Sequence, residues 1–189
     1  MPGPTTRNVV NNAPLVTGTS HQITSTYSGT TATLAFDTTI INTTQPLFFA
    51  YLSTSQNNVT GDGTVYPIVF DGTTVNQGGY YSTASGQFIA TVTGNYLFAV
   101  CVYTQESFTA TSLTLSLVTT SASGSYQFYN ETNTEGIQPQ SVLGTVIAHM
   151  TASSTAQVQL VATGGALDVS LTGSGSPYIT YLSALLLPA

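Results

Sequence analysis

The stretch YLFAVCVY, residues 96–103, is apolar on both of its faces. In a strand, where side chains alternate, Tyr96, Phe98, Val100 and Val102 line one side. Leu97, Ala99, Cys101 and Tyr103 line the other. PLFFAYLS (46–53) and YITYLSALLLPA (178–189) behave alike. An antiparallel sheet with one wet face alternates apolar with polar residues, so strands without that alternation are covered twice. Thr, Val, Tyr, Ser and Gly dominate the chain and helix formers are scarce, which leaves no helix to supply the second cover. The cover is therefore another subunit, and a symmetric oligomer is expected.

The strands that the pattern predicts are Pro46–Ser53, Gly63–Asp71, Phe88–Val92, Asn95–Gln105, Ser112–Ser121, Tyr126–Asn130, Ser141–Thr151, Ala156–Thr163, Ala166–Leu171 and Tyr178–Leu187. Glycine-rich breaks such as GDG, QGG, ASGQ, VTGN and TGSGSP separate many of them. Short strands at this spacing argue for an antiparallel sandwich. Residues 1–45 carry a weaker pattern and read as an amino-terminal β appendage or stalk connector to a domain over 46–189.

Charge excludes several partners. Only 4% of residues are charged, against roughly 25% in an ordinary globular domain. Arg7 is the single cation beside seven carboxylates, for a net charge of -6. Nucleic-acid binding and anionic membrane surfaces both draw on Lys and Arg, of which this chain has only Arg7. No apolar run reaches the roughly 18 to 20 residues of a membrane helix. The amino-terminal MPGPTTRNVVNNAPLV holds no apolar stretch of signal-peptide length, so release by lysis, as for a virion component, or origin as a fragment is expected.

The rings are spaced regularly. Phe70, Asn76, Tyr81, Phe88, Gly94, Tyr96 and Phe98 fall at intervals that resemble the aromatic signature of C1q domains. The chain departs from the signature at Val100, where the family has Phe or Tyr. YLSALLL is similar to the family's closing strand, with Ala184 where glycine is common, and FFAYLS to its first strand. SVLGTVIAHM and AQVQLVATGGALDVSL look like later paired strands. The resemblance implies an all-β, ten-stranded antiparallel jelly-roll sandwich of the C1q and tumour-necrosis-factor type, assembled as a homotrimer. Phe49, Tyr51, Tyr178, Tyr181 and Leu185 are then the expected interface and core residues. VTGTSHQIT and NVTGDGTVYPIVFD resemble segments of bacterial and viral fibre and surface proteins.

Catalysis has no constellation to carry it. His21 and His149 are the only imidazoles, and no nucleophile elbow, carboxylate pair or His-rich metal site accompanies them. His149 reads as a hydrogen-bonded structural residue, His21 as a surface or interface residue, and the lone Cys101 as a small buried hydrophobe. Calcium is the candidate cation, with Asp62 of GDG its first candidate ligand, beside the ordinary reading of Asp-Gly as a turn. Loops of a sandwich carry recognition. Tyr126, Tyr129, Asn130, Glu131 and Asn133 are the candidate ligand-binding residues, rings and amides that suit a sugar.

These readings converge on a non-enzymatic trimeric head of a viral, phage or bacterial surface or fibre protein, extracellular or on a virion. It would attach to a host-surface receptor or glycan. The alternative is a structural trimerisation or filament subunit, docking residues 1–45 onto a neighbour by strand addition.

Overall fold

The computed structural model describes residues 23–28, 31–36, 45–105, 109–122, 124–136 and 138–188. Arg7, His21, Asp37 and Glu106 lie outside them, as does most of the 1–45 segment. Among the described residues every regular element is a strand. The chain divides into two compact units, residues 1–43 and 44–189. In the first, β1 (Ile23–Ser28) and β2 (Thr31–Phe36) form an antiparallel pair with Ile23 opposite Phe36.

The second unit contains β3 (Leu47–Tyr51), β4 (Thr54–Thr60), β5 (Val65–Pro67), β6 (Gly72–Gln77), β7 (Tyr81–Ser82) and β8 (Gln87–Ile89). Then follow β9 (Gly94–Gln105), β10 (Ser112–Thr119), β11 (Ser125–Thr132), β12 (Gln140–Met150), β13 (Thr155–Thr163), β14 (Val169–Ser174) and β15 (Tyr181–Leu186). One sheet runs β11-β10-β13-β8-β7, with β5 also on β13. In the other, β9 pairs with β12 along one edge and with β15 and β14 along the opposite edge. That sheet continues from β15 through β3 to β6, and from β14 to β4. All pairings are antiparallel, and the chain crosses between sheets repeatedly, as in a jelly roll.

More strands form than the ten expected. β4, β6 and β7 were not anticipated, because TSQNNVT and GTTVNQ are rich in amides and hydroxyls and lack an apolar face. Backbone pairing holds such partly solvated strands in a ladder, and Val59 anchors the end of β4 in the core. Conversely, only Val65–Pro67 of the expected 63–71 strand pairs as one, although Ile68 and Phe70 beyond it are fully buried.

The core follows the alternation. In β10 and β13 every second residue is buried, placing Leu113, Leu115, Leu117, Val158 and Leu160 inward. Phe48, Tyr96 and Phe98 from the facing sheet, with Tyr81 and Phe88 from β7 and β8 of the same sheet, form one ring cluster. Phe48 stacks on Tyr81 at 4.7 Å and on Phe88 at 5.3 Å. Phe88 meets Tyr96 and Phe98 edge-on at 5.4 and 5.8 Å. Val100 sits in the same core face, 2% exposed. Asn76 fastens the β6–β7 turn: its Oδ1 accepts the Tyr81 N–H at 3.1 Å and its Nδ2 donates to the Tyr81 carbonyl at 2.8 Å. Gly94 opens β9 without a positive φ, and an added Cβ there would lie 2.8 Å from Leu186 Cδ1, a side-chain end that can swing aside.

Tyr81 makes the core sensitive to alkali. The Phe70 N–H donates to its phenolic oxygen at 3.1 Å, and burial pushes the phenol well above its ordinary value of 10.0. A raised folded-state pKa means that the unfolded chain gives up this proton first. The contribution is therefore complete below pH of about 10 and is lost as the pH rises from there through the folded value. Urea midpoints measured from pH 8 to 11.5 are expected to fall steeply above pH of about 10. Tyr81→Phe shallows that fall, and costs about 1–3 kcal/mol at neutral pH by orphaning the Phe70 N–H. An unchanged slope in the variant contradicts the assignment.

Candidate functional site

The second face of the β6-β3-β15-β9-β12 sheet points away from the core, and the register sets its side chains in three rows. Leu47, Leu185, Leu97 and Ile147 stand side by side in the first. The second runs Val75, Phe49, Ser183, Ala99, Thr145, and the third Tyr51, Tyr181, Cys101, Leu143. No charged residue stands in these rows. Leu143 is 62% exposed and Ile147 57%, with Leu47, Val75, Tyr178 and Leu185 also open. Polar pairs bound the patch: His149 opposite Asn95 at one end, its Nδ1 3.1 Å from Asn95 Oδ1, and Ser141 opposite Tyr103 at the other.

The sequence marked Phe49, Tyr51, Tyr178, Tyr181 and Leu185 as interface and core residues, and the structure brings all five onto this one face. Tyr181 stacks on Phe49 at 5.2 Å, and Tyr178 lies 4.5 Å from Tyr51 and 5.4 Å from Phe49. Sequence reasoning missed Leu143 and Ile147. The test applied to YLFAVCVY finds them too, because SVLGTVIAHM is apolar on both sides, at Val142, Val146 and Ala148 and at Leu143 and Ile147. Beside β12 the face sinks into a depression of about 320 Å³ lined by Ala99, Val100, Leu143, Gly144, Thr145 and Tyr181. Cys101 lies in the third row, 8% exposed, and burial pushes its thiol up, which keeps it protonated and unreactive.

A family model described as the C1q domain matches residues 47–174. The chain belongs to the C1q domain family. Among solved structures, the globular domain of zebrafish complement 1qA is similar, with a TM-score of 0.55 at 16% identity over 76% of this chain and 98% of that one. Murine APRIL aligns with a TM-score of 0.52 at 12% identity, over 76% and 99% of the two chains. The Eiger TNF of S. frugiperda gives 0.52 at 16% identity, over 76% and 93%. A comparison with curated proteins finds no match.

The C1q sandwich disposes of the candidate recognition residues as follows. Tyr126 and Tyr129, with Phe128, are half-buried and pack on the core. The Tyr129 hydroxyl donates to Glu131 Oε2 at 2.7 Å, with Gln140 Oε1 at 3.0 Å, and Gln140 Nε2 donates to the same Glu131 oxygen at 2.5 Å. This trio ties β11 of one sheet to β12 of the other. Burial first, then the Glu131 carboxylate, holds the Tyr129 phenol above its ordinary range. Asn133 Oδ1 accepts the Glu135 N–H at 3.0 Å and so shapes the turn after β11. Asn130 is exposed, accepting from Thr114 Oγ1 at 3.3 Å.

Asp62 is exposed, and its Oδ1 accepts the Thr64 N–H at 3.0 Å; hydrogen bonding to Thr64 holds its carboxyl below the usual range. Both Asp71 oxygens are taken by Ser53, at 2.7 Å from its N–H and 2.6 Å from its hydroxyl. A calcium ion wants six to eight oxygens. Among the described residues no group of three or more His, Cys, Asp or Glu is placed to hold a metal. The residues around Asp62 fit a turn, and a cation there requires oxygens from elsewhere.

Proposed function

We propose that this C1q domain is the non-enzymatic, homotrimeric head of a viral, phage or bacterial surface or fibre protein. Its role is attachment to a host or surface ligand, and a neutral glycan suits its chemistry best. One observation carries the reading: an uncharged sheet face three rows deep, apolar except at Ser183 and Thr145, with Leu143 and Ile147 more than half exposed. A lone protein in water keeps its contiguous apolar patches small, and burial of each such side chain returns about 1.5–3 kcal/mol. Three copies around one axis cover the face of each by the face of the next. C1q and TNF domains are known as trimeric, extracellular binding heads. Three weak ligand contacts on one axis then act together as avidity. With no lysine and only Arg7, the ligand is not recognised through phosphate or carboxylate pairing.

Sedimentation analysis of the full chain is expected to return three times the chain mass. Glycan arrays probed at high trimer density are expected to give binding. A monomer overturns the assembly, and an array without hits overturns glycan attachment.

The filament reading draws on residues 1–45, where β1 and β2 pair as a two-stranded antiparallel sheet among the described residues. It predicts concentration-dependent polymers that vanish on deletion of residues 1–20.

A further inference from the structure

We infer that the outer face of the other sheet, β11-β10-β13 with β5 and β8, binds an extended, neutral polysaccharide laid across its strands. This rests on the attachment reading above and goes beyond it by placing the site and giving the ligand its shape. The proposed assembly covers the face built on β3, β15, β9 and β12, so this one stays open. The register lays its outward side chains in rows. Gln127, Ser116, Gln159 and Pro67 stand side by side on β11, β10, β13 and β5. Two residues along, Ser125, Val118, Gln157 and Gln87 do so on β11, β10, β13 and β8. Between them along β10 and β13, Leu117 and Val158 turn into the core, which points both rows outward. Neither row holds a charge.

The amides of this face are unspent. Elsewhere the chain uses its amides on itself: Asn76 holds Tyr81, Gln140 holds Glu131, and Gln56 accepts from the Tyr66 hydroxyl. Here Gln157 Nε2 donates to the Ser85 carbonyl at 2.8 Å. Among the described residues, no hydrogen bond takes up the side-chain amides of Gln87, Gln127 or Gln159. An amide both donates and accepts, as a sugar hydroxyl does, and it brings no charge that a neutral ligand would leave buried and unpaired. Pro67 and Val118 supply apolar ground for the C–H faces of the rings. Adjacent strands lie about 4.8 Å apart, close to the length of one pyranose unit in an extended chain, so a row of four strands takes about four units.

A glycan array carrying neutral β-linked oligosaccharides of graded length, beside charged and branched glycans, tests the site with the full chain. Binding to the neutral series is expected to strengthen with length up to about four units. It is expected to hold steady from about 50 to 500 mM salt, since no ion pair takes part. Gln87→Ala, Gln127→Ala and Gln159→Ala combined are expected to weaken binding about a hundredfold, with circular dichroism and sedimentation unchanged. Ser116→Arg, which plants a long side chain in the middle of the first row, is expected to abolish it. Three results remove this site and leave attachment standing: binding confined to charged or branched glycans, affinity blind to length, or variants that bind as tightly as the wild type. A wild type that binds no glycan removes attachment and this site together.

Discussion

Phe88→Ala is expected to lower the unfolding free energy by about 3–5 kcal/mol, a large share of the roughly 5–15 kcal/mol of a whole domain. Phe88 sits on β8, in one sheet, yet every ring it touches belongs to the other: Phe48 on β3, and Tyr96 and Phe98 on β9. The substitution therefore removes a ring that joins the layers. The cavity cannot collapse readily, because its walls are strands held in ladders on both sides. Urea unfolding followed by circular dichroism and tyrosine fluorescence measures the loss; there is no tryptophan to report it. Val75→Ala, at an open position on the outer face, is the control, and a protomer measured below its assembly concentration loses under about 0.5 kcal/mol. A loss under about 1 kcal/mol in Phe88→Ala shows that the ring cluster is not the keystone of the core.

The second large effect concerns assembly. Leu143→Asp combined with Ile147→Asp is expected to turn the proposed trimer into a folded monomer. Both side chains are more than half exposed in the protomer, so charge there costs the fold little. In the trimer each copy loses two buried aliphatic groups, about 1.5–3 kcal/mol apiece, and gains two carboxylates with no cation to pair them. At about 1.4 kcal/mol per decade, the dissociation constant rises by many orders of magnitude. Sedimentation reads the change of mass, and circular dichroism with the melting curve verifies the fold. A double variant that keeps the wild-type mass removes this face from the interface.

The recognition loop was harder to read than the core. Tyr126 and Tyr129 look like exposed binding rings in a segment full of amides. They instead lean on the core, and Tyr129 is spent on Glu131 and Gln140. A ring in a polar segment has the same local signature whether it faces a ligand or closes the edge of a sandwich. The deciding partner, Gln140, belongs to a different strand. Asp62 shows the same limit, since the Asp-Gly dipeptide is common to turns and cation loops, and only the fold brings the Thr64 N–H onto its Oδ1.

What the sequence determined alone is the sidedness of each strand. Alternation is a property of neighbours along the chain, and it grouped Tyr96 and Phe98 with Val100 and Val102 on one side of their strand; the spacing that resembles the C1q signature marked Phe70, Tyr81, Phe88, Tyr96 and Phe98, and all five are buried. It also exposed the strands that are apolar on both sides, and with them the need for a second cover. What the tertiary structure alone decided is which side chains stand next to one another. Leu47, Leu185, Leu97 and Ile147 make one row only because strands far apart in the chain pair in a particular register. A shift of one residue would turn each strand's outward side chains into the core. The depression at Ala99 and Thr145 is a product of that register, set by core packing over distances that no local pattern spans.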